Sequence, residues 1–333
     1  MKKSVLAMLL CAATSIHMFA GVPVLAEEAT ETATEAADED YGTVTIQNGE
    51  RTLTFTEMPK AVMTFNTCAS ENMAMLGLED YMVGRNVPSN EADVPLPEYQ
   101  DALADVPTFE KSHENAVATG ADLVIGQSGA FSDASWGSYD QFESKGINCY
   151  TISGTITLDE TVENIYEDLR FLGQVFKVED RAEEEIAKMQ ERISAVEDTV
   201  SVIPEDKKLK VFVMDSFNGN EIYTTSSGLQ SNLIELGGAV NVTKGMADSR
   251  WFTTSVETIV ETNPDLIIFN DYGAETIEEK MAFINDNPAL ADVTAVKNQN
   301  FFVIPLVEVM QDVRAAGACE KMAAAFYPDL FTE

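Results

Sequence analysis

Residues 180–200 place apolar side chains at Ala182, Ile186, Met189, Ile193, Val196 and Val200, with charged residues filling most of the positions between them. Spacings of four and three put these six on one face of a 3.6-residue helix. Asp180, with Glu183 three residues on, makes a capping-box-like start, and Pro204 lies just past the stripe as a stop. The pattern predicts a single rod roughly 30 Å long. On both sides of it, short apolar runs alternate with amphipathic segments. Before the rod, strands are expected at 61–65, 81–83, 123–125 and 148–152, a loop at 66–70, and helices at 71–76 (closed by Gly77), around 139–145 and at 158–176. After it come a strand at 211–214, a helix at 229–236 closed by Gly237-Gly238, strands at 266–269 and 301–304, and a last helix at 312–326. Residues 41–55 alternate apolar and polar around Asn48-Gly49, a hairpin signal.

The two flanks are related. Residues 112–126 read SHENAVATGADLVIG and residues 255–269 read SVETIVETNPDLIIF, with seven of fifteen positions identical and no gap. Ser112/Ser255, Glu114/Glu257, Val117/Val260, Thr119/Thr262, Asp122/Asp265, Leu123/Leu266 and Ile125/Ile268 are the matched pairs. Each copy predicts a short helix followed by a buried strand, and the rod lies between the copies as a connector of two homologous lobes would.

The N-terminus changes the picture of location. Lys2-Lys3 precede a mostly apolar stretch, and Val24-Leu25-Ala26 offers a small-x-Ala cleavage site, so residues 1–26 read as an export signal. A membrane anchor is the alternative, but Thr14, Ser15 and His17 interrupt the apolar run. Lipid attachment at Cys11 meets an oversized neighbour in Leu10. Residues 27–40 (EEATETATEAADED) hold seven acids and no base, too polar to order themselves, and read as a disordered spacer. With 333 residues the rest suffices for two cores. The formal net charge of −35 argues against nucleic acid as a partner.

Enzyme signatures are missing. No glycine-rich phosphate cradle follows a strand. Gly126-Gln127-Ser128-Gly129-Ala130 only approximates a nucleophile elbow, and His113 precedes that serine where a hydrolase would need a histidine after it. Past residue 26, His113 is also the lone histidine, which excludes a histidine metal cluster; it reads as a first-turn helix residue. Cys68, Cys149 and Cys319 are an odd set without metal spacing and allow one disulfide at most; Cys68 falls in a strand-end loop that borders a site. No catalytic residue and no metal ligand is assigned. The positive signal sits at strand ends, where open α/β sheets bind ligands. Of seven arginines, Arg85, Arg250 and Arg314 fall there, among Phe109, Phe131, Trp136, Phe217, Tyr223, Trp251 and Tyr272, about half of which are expected to line a cleft. Guanidinium forks and aromatic faces together suit a large, flat or anionic ligand.

These features resemble the substrate-binding proteins of ABC importers for ferric siderophores, haem and cobalamin. The resemblance runs from about residue 41 to 331 and rests on PKAVMTFN (59–66), ENMAMLGLEDYMVG (71–84), ADLVIG, PDLIIF, NPALADVTAVKNQNFFVIP (287–305) and YPDLF (327–331). It implies an α/β fold of two Rossmann-like lobes joined by one long interdomain helix, the class III periplasmic-binding-protein arrangement. The expected organisation is an N-terminal lobe at 41–178, the connecting helix at 179–203 and a C-terminal lobe at 204–333. It implies a monomer outside the cytoplasmic membrane, peripheral or tethered to it, that serves a permease dimer and its ATPase. Glu114 and Glu257 match the acidic residues that meet permease arginines in that family. Trp251 matches a pocket-wall aromatic, whereas the equivalent first-lobe position is Thr108, with Phe109 beside it. The strand-end reading gives the expected ligand set, Arg85, Phe109, Phe217, Tyr223, Arg250, Trp251, Tyr272 and Arg314, and the resemblance makes the expected ligand an iron chelate. Haem or a corrinoid, with Met310, Tyr272 or His113 as axial partner, is the alternative, and a ligand-presenting sensor subunit is a rival role.

Overall fold

The computed structural model describes residues 41–88, 93–273 and 275–332. The export signal and acidic spacer expected at 1–40 lie outside the described residues.

Two parallel sheets carry the fold. The first has the spatial order Thr108–Phe109, Met82–Asn86, Val62–Thr64, Leu123–Gly126, Asn148–Thr151. The second runs Val240–Asn241, Lys210–Met214, Leu266–Asp271, Phe301–Pro305. Their central strands are apolar on both faces because helices cover both, as parallel sheets require. The internal repeat recurs in the structure. Ser112 and Ser255 are the N-caps of helices His113–Ala118 and Val256–Thr262. Asp122 accepts the backbone amides of Lys60 and Ala61 at 2.8 and 3.1 Å, and its counterpart Asp265 accepts that of Lys210 at 2.9 Å. In both lobes the repeated aspartate therefore pins the entry of the neighbouring strand, a backbone role that explains its recurrence.

Between the sheets stands the predicted rod, a helix spanning Glu179–Val200, 22 residues long. Its N-cap is Val178, two residues before the Asp180 of the capping pattern, with no side-chain cap. The preceding helix, Val162–Phe176, ends at Lys177 in the left-handed region (φ 56°), so the chain reverses there and the two helices lie side by side. Gly173 permits their close approach: a Cβ on it would fall 2.9 Å from that of Ala182.

Ala182, Ile186, Met189, Ile193, Val196 and Val200 are all 6% exposed or less. They belong to one apolar core that also contains Val62 and Ile125 of the first sheet, Val211 and Ile268 of the second, and Met322 and Phe326 of the terminal helix Ala315–Phe326. Each sheet has in addition its own core on the far face, around Phe142 in one and Phe269 in the other. The lobes thus share their inner layer.

Several expected boundaries move. The hairpin turns on Gly49-Glu50, one residue later than expected, because Asn48 ends the first strand and exchanges hydrogen bonds with the backbone of Thr151 at 2.7 and 2.8 Å. The helix expected at 71–76 is Thr67–Met75, so Cys68 lies in its first turn and is buried rather than in a loop. All three described cysteines are free and buried. An antiparallel ribbon that the periodicity missed, Ser216–Asn218, Glu221–Thr225 and Trp251–Ser255, leads into the second copy of the repeat. Among the described residues no helix is long and apolar enough to cross a membrane.

Candidate ligand-binding site

At the C-terminal edge of the first sheet, buried polar atoms are left without partners. Asn66, the N-cap of the helix Thr67–Met75, buries both its amide nitrogen and its amide oxygen with no hydrogen bond. On the adjacent strand, Arg85 Nε and Asn86 Oδ1 are in the same condition. Leaving such groups dry and unpaired costs about 1–3 kcal/mol each, so a cluster of them marks a surface built to be completed by something else.

The seven arginines divide sharply. Arg51, Arg170, Arg192, Arg250 and Arg314 each face a carboxylate, on Glu143, Glu183, Glu320, Glu160 and Glu71 respectively. Arg181 donates to the carbonyl of Leu76. Among the described residues Arg85 has none of this: burial acts on its guanidinium and lowers its pKa, whereas hydrogen bonds to Glu183 and Glu320 raise those of Arg170 and Arg192. A half-buried cation without a counter-charge among the described residues, in a chain of net charge −35, is a ready anion seat. Arg314 is not one. Its Nε and Nη2 bind Glu71 at 2.7 and 2.6 Å, Nη2 also donates to the Val94 carbonyl at 2.7 Å, and its side chain is 6% exposed. It clamps the start of the terminal helix to the first lobe. Arg250 holds one contact to Glu160 at 3.3 Å.

On the other side of the gap, Tyr272 donates its hydroxyl to Asp215, which also accepts from Asn270 Nδ2 at 2.8 Å. Burial raises the pKa of both Asp215 and Tyr272. Lys280, fully buried, reaches the Asn270 carbonyl at 2.6 Å and lies 4.8 Å from the Tyr272 ring centroid. Tyr223 stacks on Trp251 with centroids 5.8 Å apart and is 40% exposed.

A cavity of about 170 Å³ is enclosed by Asn66, Cys68 and Gln127 from the first lobe and Asp271, Tyr272 and Met310 from the second. That is smaller than the roughly 300–1,000 Å³ of typical small-molecule sites. A larger groove of about 590 Å³ runs between the connecting and terminal helices. Its cations are already engaged by carboxylates, Lys188 by Glu184 and Glu185, Arg192 by Glu320, Lys321 by Glu308 and Arg314 by Glu71, which makes it a solvated seam.

The remaining expected residues fall as follows. Phe109 lies over Gly84, where a Cβ would come within 2.9 Å of the ring, and packs into the first lobe's outer core. Phe217 stacks on Phe283 at 4.5 Å and so holds the helix Ile277–Asn285. Phe131 and Trp136 are core residues, the latter stacked on Phe65 at 4.7 Å. His113 packs edgewise on Phe142 at 4.9 Å, away from the cavity lining. Burial pushes the Cys68 thiol well above its usual pKa, which makes it a poor nucleophile. Glu114 and Glu257 are exposed, each in the first turn of its helix. The pKa of Glu257 is lowered by hydrogen bonds from the Ser255 side chain and its own amide. Asn66, Asn86, Gln127 and Asp271 join the site without a signal in composition or charge. Asn66 follows an apolar strand directly, the position at which a ligand contact is expected in an open α/β sheet, and that was the available signal.

Comparison of the sequence with curated proteins returns no match. Among solved structures, a periplasmic binding protein from Veillonella parvula is 27% identical with a TM-score of 0.77, covering 86% of this chain and 98% of that one. An ABC-type Fe3+-hydroxamate transport system protein from Saccharomonospora viridis is 22% identical (TM-score 0.72, 85% and 98% covered). The periplasmic heme-binding protein RhuT from Roseiflexus sp. RS-1 is 19% identical (TM-score 0.65, 81% and 99%). These share the class III arrangement of two sheets and a connecting helix. The family profile described as periplasmic binding protein, a family of extracytoplasmic substrate-binding components of ABC transport systems rather than enzymes, matches residues 62–307, and the chain belongs to that family.

Proposed function

We propose that this protein is the solute-binding component of an ABC importer that captures an anionic ferric chelate of the siderophore type between its lobes and delivers it to a membrane permease. The observation that carries the reading is Arg85, half-buried at a strand end with no ion pair to a carboxylate among the described residues, beside the unpaired amide oxygen of Asn86. Relatives of the same fold are described as serving Fe3+-hydroxamate transport and haem binding. Of these, a chelate that arrives with its iron already coordinated suits this cleft better. Haem iron needs an axial side chain, and here the Tyr272 hydroxyl is engaged by Asp215 and His113 packs on Phe142, leaving Met310 alone. The cavity must widen to admit either ligand, and the shared inner core favours a small rocking of the lobes over a wide swing. Glu114 and Glu257 serve as the permease-docking pair; as exposed ion pairs worth about 0–1 kcal/mol each they set register more than affinity.

The test is a fluorescence titration with a ferric tris-catecholate, a ferric tris-hydroxamate, hemin and cobalamin. Trp136 is 3% exposed and stacked in the core, so the signal reports on Trp251. Arg85→Gln is expected to weaken tris-catecholate binding by roughly tenfold or more without lowering the melting temperature; wild-type affinity in this variant would refute the site. Glu114→Lys with Glu257→Lys is expected to stop uptake by cells and leave affinity intact. Weakened binding by the isolated double variant would remove the docking role.

A further inference from the structure

Glu160 lies where the two halves of the chain are tied together. Its side chain is 1% exposed. Oε2 accepts the Leu229 amide at 3.1 Å, Oε1 accepts Gln311 Nε2, and its own backbone amide donates to the Ser227 carbonyl at 3.0 Å. Gly154 makes room for it, since a Cβ there would fall 2.5 Å from Oε1. Gln311 in turn receives the Gln127 amide at 3.0 Å, at the wall of the cavity. Both carboxylate oxygens therefore keep a donor without any help from Arg250.

Arg250 is held differently from Arg314. It makes one contact, Nη1 to Glu160 Oε2 at 3.3 Å, and its side chain is 22% exposed. Arg314 makes two shorter ones to Glu71 at 6% exposure. A single long contact on a partly wet guanidinium is cheaply exchanged; a buried bidentate clamp is not. Arg250 also precedes Trp251, whose ring stacks on the exposed Tyr223, and Tyr223 feels the charges of both Arg250 and Asp215, the acid that holds Tyr272 at the cavity.

We propose that Glu160 is an internal competitor for the ligand's negative charge: it holds Arg250 in the empty cleft, and a bound anion takes Arg250 from it. The inference rests on the cleft between the lobes being the ligand site. Two consequences follow from the geometry. Affinity for an anion is the net of an exchange, so Glu160 lowers it, whereas a neutral ligand of the same size is unaffected. The exchange also removes one tie between the segment before the helix Val162–Phe176 and the second lobe, which links ligand charge to the contact between halves.

Glu160→Gln keeps an oxygen for the Leu229 amide and removes the negative charge that holds Arg250. Iodide, an anion, and acrylamide, a neutral quencher, then read the charge near Trp251 with no ligand present. Iodide quenching is expected to rise about twofold in Glu160→Gln, because a freed cation gathers counter-ions, with acrylamide quenching unchanged. Adding Arg250→Gln should return it to the wild-type level. Ferric tris-catecholate should bind about tenfold more tightly to Glu160→Gln, and a neutral ferric tris-hydroxamate equally to both. Arg250→Gln alone, at a partly exposed position that the fold tolerates, should weaken only the tris-catecholate. Unchanged iodide quenching, or an equal rise with acrylamide, overturns the proposal. Raised iodide quenching with no chelate bound at all would uphold the competition and sink the chelate reading instead.

Discussion

Replacing Asp168 by asparagine offers a quantitative check on the buried electrostatics. Asp168 is 3% exposed on the helix Val162–Phe176; its Oδ1 accepts Tyr150 Oη at 2.6 Å and the Ser153 amide at 2.9 Å, while Oδ2 is buried without a partner. Burial outweighs those hydrogen bonds and pushes its pKa from 3.8 up to about 7. A carboxyl whose native pKa lies above its unfolded value binds its proton more tightly when folded. The stability it supports is fully present below about pH 4 and is lost as the pH rises through about 7. A shift of about three units, at about 1.4 kcal/mol each, amounts to about 4 kcal/mol lost across that window. Asparagine is isosteric with the protonated acid and does not titrate. Urea unfolding at pH 4, 5, 6, 7 and 8, followed by circular dichroism, should therefore find wild type and Asp168→Asn similar at pH 4 and the variant ahead by about 1.5 kcal/mol at pH 5. By pH 8 the variant should be more stable by up to about 4 kcal/mol. Asp329→Asn, at an exposed position, controls for the removal of one negative charge from an acidic chain. Parallel stability curves for wild type and Asp168→Asn would refute the assignment of a buried protonated carboxyl.

Other outcomes follow from the contacts between lobes. Arg314→Met leaves Glu71 buried without its cation and should cost about 3–5 kcal/mol in thermal or urea unfolding, whereas Glu71→Leu leaves Arg314 the Asp312 carboxylate at 3.7 Å and should cost less; the double variant should recover part of the Arg314→Met loss, and a double variant as unstable as the sum of the singles would show that the two do not act as a pair. Met189→Pro removes a hydrogen bond at the middle of the connecting helix and should cost about 3 kcal/mol or more, and scattering in solution should show a less compact particle. An unchanged scattering profile would contradict the role of that helix as spacer.

Periodicity and the repeat revealed the architecture because both are local. The stripe from Ala182 to Val200, the capping serines and the aspartates 122 and 265 act within a few residues or on the next strand, so their meaning is written in short spacings. The antiparallel ribbon carries a turn signal in Asn218-Gly219, but its strands of three and five residues are too short for a period of two to stand out. The site was harder to read. Which arginine is free depends on where carboxylates arrive from: Glu71 lies 243 residues from Arg314 and Glu160 lies 90 from Arg250, and no spacing announces either pairing. Trp136 and Phe131 have the composition of a cleft wall, yet Phe65 and Phe142 bury them. Glu160 stood out in no pattern, because its importance comes entirely from partners distant in the chain.

The undivided inner core has a consequence for how the molecule is made. Since one apolar layer takes side chains from both sheets and from the connecting and terminal helices, neither half can finish its interior alone. Heating should give a single calorimetric transition, not two. A gene cut after Val200 should yield two insoluble fragments when each is expressed separately, and a complementing pair when they are made together in one cell.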